Sequence, residues 1–77
     1  MSATLVDYLA RRLVEHPDAV RVEEVDEDDT LVIRLRVASE DVGRVIGRGG
    51  RIARALRTVV RASGARGDRR VVLEIVE

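Results

Sequence analysis

Val45-Ile46-Gly47-Arg48-Gly49-Gly50-Arg51-Ile52 puts three glycines and two arginines between two segments of helical periodicity. Upstream, Val42, Val45 and Ile46 give an apolar face at i, i+3, i+4, preceded by Ser39-Glu40-Asp41, which reads as an N-cap serine with two acids in the first turn. Downstream, Ile52, Ala53, Leu56, Val59 and Val60 fall on one side of a helix that runs to about Ser63, and Arg51, Arg54, Arg57 and Arg61 fall on the other. Gly64 is its natural C′ residue. The glycines therefore join a short helix to a longer one.

Three other glycine motifs fail on this stretch. A P-loop needs a lysine after its last glycine, and the chain has no lysine. A dinucleotide fingerprint needs a third glycine at Ile52 and a strand directly before the loop. A protein-kinase glycine loop needs a far longer chain. What remains is helix–Gly-x-x-Gly–helix, with Gly47 and Gly50 as the fixed glycines.

Outward from the loop, Leu31, Ile33, Leu35 and Val37 alternate with Val32, Arg34 and Arg36 in the period of a strand. Val20 and Val22, alternating with Arg21 and Glu23, read as a shorter strand. Between them, the acids of Glu23 to Asp29 read as a solvated hairpin turn; they lack the glycine-containing spacing of an EF-hand loop. Leu5, Leu9 and Leu13 mark a first helix over residues 3–15, ended by Pro17, with His16 in the exit beside the negative end of the helix dipole. Val71 to Val76 reads as a final buried strand. The order is α-β-β-α-α-β, an α+β two-layer arrangement with helices packed on one face of a three-stranded sheet.

Composition narrows the function classes. The 77 residues make one small domain, 1–77, that is 45% hydrophobic and 36% charged, too apolar for natural disorder. With no cysteine and one histidine, there is no thiolate metal site, no histidine pair and no catalytic constellation, so the expectation is a non-enzyme without metal, cofactor or small-molecule substrate. No apolar run spans a membrane and no signal-peptide pattern opens the chain, which points to a soluble cytoplasmic protein. The formal charge is zero, but unevenly spread. Glu15 to Asp41 holds ten acids against three arginines; Arg44 to Arg70 holds nine arginines against Asp68 alone. A basic half attracts phosphate whatever the total charge. All fourteen basic residues are arginine, which favours bidentate phosphate contacts.

The loop together with the element order resembles the KH domain in its type II, bacterial form. The segments Gly43-Arg44-Val45-Ile46-Gly47-Arg48-Gly49-Gly50-Arg51 and Ala55-Leu56-Arg57-Thr58-Val59-Val60 are similar to the short bacterial single-KH proteins of the KhpA family, over essentially the whole chain. Ala53 departs from a pattern that often has isoleucine there, and Ile52 or Leu56 can fill its volume. The resemblance implies a clamp on the backbone of about four nucleotides of single-stranded RNA. Glycines let a backbone approach closely, and the helix opening at Gly50 presents free N–H groups to an anion. The implied contact residues are Gly47, Arg48, Gly49, Gly50, Arg51, Val45, Ile46 and Arg44. Ile52 or Ala53 completes one groove wall, and Val71-Val72-Leu73 forms the other, with Arg66, Arg69 and Arg70 at its rim. A chain with Tyr8 as its one aromatic residue cannot stack bases as aromatic-lined RNA modules do.

The family further implies a homodimer or a pairing with a KhpB/Jag-type KH protein. It also implies a role in post-transcriptional regulation or RNA chaperoning, tied in some bacteria to cell elongation and division. Two other readings remain open at this point: an interaction or dimerisation module with a vestigial groove, and a single-stranded DNA binder.

Overall fold

The structure, a computed structural model, describes residues 2–63 and 70–76. Its elements are α1 (Ser2–Leu13), β1 (Arg21–Glu27), β2 (Thr30–Arg36), α2 (Val42–Ile46), α3 (Arg51–Ser63) and β3 (Arg70–Val76), the order expected from the sequence. In the sheet β2 is central. It pairs antiparallel with β1, from Arg21 opposite Arg36 to Glu27 opposite Thr30. On its other side it pairs parallel with β3, from Thr30 opposite Arg70 to Arg36 opposite Val76. A parallel neighbour requires a long crossover, and α2, the glycine loop and α3 supply it.

The two-residue period of the strands sorts their side chains. Ile33, Leu35 and Leu73 face the helices and meet Val6 and Ala10 of α1, Val45 of α2, and Leu56 and Val60 of α3 in one buried cluster. The other face carries four cross-strand rows, two of them in the middle of the sheet. Val25, Val32 and Val72 stand side by side in one. In the next, Arg34 bridges Glu74 at 3.0 Å and Glu23 at 3.9 Å.

β1 is longer than its apolar residues suggest. It continues through Glu23, Glu24, Asp26 and Glu27, and the turn is only Asp28-Asp29, with Asp28 in the left-handed region at φ 51°. The acids fit a strand because β1 is an edge, where side chains on both faces reach solvent and charge blocks pairing with another chain.

The start of α2 also differs from the sequence reading. Ser39 caps no backbone amide; residues Ser39–Asp41 form a 3-10 turn, and the Ser39 hydroxyl donates to Glu40. The buried group there is Asp41, at 1% exposure. Its two carboxylate oxygens accept from the backbone N–H groups of Glu15 at 3.1 Å and His16 at 3.0 Å. Arg44 Nε lies 3.3 Å from the same carboxylate. This explains why α1 stops at Leu13 rather than at residue 15: the amides that would extend it are turned toward Asp41.

Burial alone would raise the Asp41 pKa. The two amide donors, and the positive charges of His16 and Arg44, outweigh it and leave the carboxyl below its ordinary value of 3.8. A carboxylate held low in the folded state contributes stability that is fully present above its unfolded pKa and lost as pH falls through the folded one. Asp41→Asn should therefore lower the melting temperature at pH 7. The gap from wild type should hold down to about pH 4 and close below it, as read by circular-dichroism melts across pH.

Candidate nucleic-acid interface

The five-residue α2 ends where Gly47 takes φ 77° and ψ 171°, a combination open essentially to glycine alone. Gly47 donates back to the carbonyl of Gly43 at 2.9 Å. One 3-10 turn, Arg48–Gly50, follows; Gly50 donates to the Gly47 carbonyl at 3.1 Å, and Gly49 sits at φ 64°, ψ 17°. α3 begins at Arg51.

The glycines are not equivalent. A Cβ on Gly47 would lie 2.5 Å from Ile52 Cγ1 and 2.9 Å from the Ile52 backbone nitrogen. Gly47 is thus packed onto the first turn of α3, and this close approach sets how the two helices meet. Around Gly49 and Gly50 nothing lies within 4 Å of the Cβ position. Their positive φ angles shape the turn, while the space outside it stays open to an incoming chain.

The charge around this opening has one sign. No acid occurs from Val42 to Ser63. Arg48 and Arg51 are exposed, and neither has a carboxylate within 4.0 Å among the described residues. The first turn of α3 adds the positive end of its dipole. Together these form an open-sided, positively charged surface beside the half-buried Ile46 and Ile52.

The other residues expected at the site fall into distinct places. Val45 is 0% exposed and lies in the core, so its side chain supports the loop from beneath and lines no groove. Ala53 is likewise buried, at 3% exposure, as is Leu56 at 4%. Arg44 is half-exposed, but its guanidinium is engaged by Glu15 and Asp41. Of the expected second wall, Val71 and Leu73 turn into the core and Val72 lies on the outer face of the sheet, 39% exposed. What β3 offers is its backbone: it is an edge strand, and among the described residues no strand pairs with its outer side. Arg70 is exposed at the first position of β3, opposite Thr30. Arg66 and Arg69 lie outside the described residues. Among the described residues no group of three or more His, Asp or Glu could hold a metal ion, and no helix is long and apolar enough to cross a membrane.

A family model described as "KhpA/KhpB, KH domain" matches residues 3–75. The chain belongs to the KhpA/KhpB KH-domain family. Relatives named RNA-binding protein KhpA agree over nearly full length. The protein from Aquifex aeolicus is 51% identical, covering 95% of this chain and 92% of its own. That from Halalkalibacterium halodurans is 50% identical, covering 96% and 97%. That from Treponema pallidum is 48% identical, covering 100% and 96%. This is a family of KH proteins and not of enzymes.

The fold also recurs in two structures of Era, each with TM-score 0.65 at 23% identity. One is the Aquifex aeolicus protein bound to GDP·AlF4−. The other is Era in complex with MgGDPNP and nucleotides 1506–1542 of 16S ribosomal RNA. They match over 96% of this chain but only 29% and 28% of Era, and at that identity the likeness shows a shared fold.

The unequal glycines give a direct test of the loop geometry. Gly47→Ala meets both a glycine-only conformation and Ile52, so it should destabilise by about 2–3 kcal/mol or more. Gly49→Ala meets open space and only a left-handed φ, and should cost about 1 kcal/mol. Urea unfolding of the two variants checks the ranking.

Proposed function

We propose that this protein binds single-stranded RNA without catalysis, holding the backbone of about four nucleotides against the Gly47–Gly50 loop and the first turn of α3. The observation that carries this reading is the open space around Gly49 and Gly50, bordered by Arg48 and Arg51, which have no carboxylate within 4.0 Å among the described residues. The names of its relatives point the same way. Gly47, Gly49 and Gly50 shape the turn; Arg48 and Arg51 supply charge-assisted contacts to phosphate oxygens. Ile46 and Ile52 offer apolar surface to the bases, and the free edge of β3 offers backbone donors and acceptors to their edges. Val45 and Arg44 act from behind, one as core and one by fixing α2 to the exit of α1. Arg70 would add a further charged contact to the RNA.

Single-site contacts with so few nucleotides bind weakly, and pairing two sites raises the effective concentration. The exposed flank of α3 formed by Ala55, Val59 and Ala62, with Val59 36% exposed, suits a second copy or a KhpB/Jag-type partner. The cellular role we propose is RNA chaperoning or post-transcriptional regulation in the cytoplasm.

Fluorescence anisotropy with labelled single-stranded RNA tests the site, comparing wild type with the Arg48→Asp/Gly49→Asp double variant. Aspartate tolerates the left-handed angle at residue 49, and both positions lie outside the core, so the fold should persist. The double variant should lose about tenfold or more in affinity, and wild-type binding should weaken steeply with salt. Unchanged affinity would overturn the assignment; equal affinity for the matching DNA would make the site a general single-strand clamp. Separately, Val59→Asp should lower the sedimentation mass of any self-associated species to that of one chain.

A further inference from the structure

The arginines of this protein are of two kinds. Arg11 pairs with Asp7, Arg34 with Glu23 and Glu74, and Arg44 with Glu15 and Asp41. Arg12 lies over the Tyr8 ring at 5.8 Å, and Arg21 donates to the carbonyls of Asp18 and Val20. Along α3 the pattern stops. Arg54, Arg57 and Arg61 are exposed and have no carboxylate partner within 4.0 Å among the described residues. Arg36 and Arg70 share that state, but singly, at opposite ends of the sheet.

The three α3 arginines form a line. At 100° per residue they fall within about 60° of one another. This arc is separate from the buried Ala53, Leu56 and Val60, and from the apolar flank of Ala55, Val59 and Ala62. With Arg51 they continue from the glycine loop along about 15 Å of helix. Each successive pair is three or four residues apart, the spacing at which like charges repel and weaken a helix by about 0.2–0.5 kcal/mol. An acid at any neighbouring position would relieve that repulsion, as Asp7 does beside Arg11, yet α3 contains none.

We infer that the Arg54–Arg57–Arg61 stripe is a second phosphate-contacting track, which takes the RNA flanking the segment held by the loop. It fits a polyanion with regularly repeated charges and offers no aromatic or hydrogen-bond acceptor side chain for reading bases, apart from Thr58, whose hydroxyl donates to the Arg54 carbonyl. The track therefore adds affinity and salt dependence, not sequence preference. It makes the protein favour RNA longer than the four or so nucleotides its loop can clamp. This inference rests on the loop reading of the preceding subsection.

The test is anisotropy on the full chain with two labelled single-stranded RNAs, one of about five nucleotides and one of about twenty, each titrated at several salt concentrations. Wild type is set beside Arg54→Gln/Arg57→Gln/Arg61→Gln, and beside the same three positions changed to lysine. In wild type the long RNA should bind more tightly and with the steeper salt slope. The glutamine variant should keep short-RNA binding within about twofold. It should lose about tenfold on the long RNA at low salt, with its salt slope reduced by about 2, as expected for three phosphate contacts to a single strand. The lysine variant keeps the charge and should keep most of the slope.

If the glutamine variant binds the long RNA as wild type does, with the same slope, the stripe is a solvated helix face and the inference fails while the loop reading stands. If wild type binds neither RNA, both fall.

Discussion

At Gly47 the backbone passes so close to Ile52 that a single added carbon would sit 2.5 Å from Ile52 Cγ1, in a conformation that only glycine adopts at low cost. The contact lets a five-residue helix dock directly onto the first turn of a thirteen-residue one. With Gly47 packed inward, the next turn is pushed outward, and Gly49 and Gly50 present bare backbone to solvent. The site is therefore a surface on which backbone can meet backbone, with charge supplied from its rim. It sits on a rigid frame, because Val45 and Leu56, on the two helices the loop joins, are both buried in the core beneath it.

The second anchor is Asp41. Its carboxylate accepts from two backbone amides at the exit of α1 and takes Arg44 from the first turn of α2. A short α2 has little helical stability of its own, so an external tie at its start matters. It joins the N-terminal helix to the loop-bearing pair and places a buried negative charge where Arg44 can neutralise it. That arrangement leaves Arg48 and Arg51 as the unengaged cations at the loop.

Local pattern was enough to read most of the fold. The alternation of Leu31 to Val37 identified the central strand, the glycines separated α2 from α3, and the periodicity of Ile52 to Val60 set the buried face of α3. What escaped the sequence depends on residues far apart in the chain. Arg44 meets Glu15 across 29 positions, and Asp41 meets the amides of Glu15 and His16 across 26 and 25, so neither engagement leaves a local signature. The acids after Glu23 looked like a turn because charge opposes burial, but an edge strand does not bury them. At the candidate site, the turn between the two helices was legible from the spacing of Gly47, Gly49 and Gly50. The burial of Val45, and the inward turn of Val71 and Leu73, were not, because an apolar residue reads the same whether it lines a groove or fills a core.

Charge is divided in space as well as in sequence: acids lie along β1 and its turn, while the charged residues of the loop and of α3 are all arginine. A phosphate chain is repelled by the acidic strand and drawn to the arginines. The most direct measurement of this account is an amide chemical-shift titration of the 15N-labelled protein with a short single-stranded RNA. The largest shifts should fall at Gly47 to Ala53 and along the free edge of β3, with residues 26–29 of the hairpin unmoved. Shifts centred on the hairpin, or on the outer face of the sheet, with the loop amides unchanged, would contradict it.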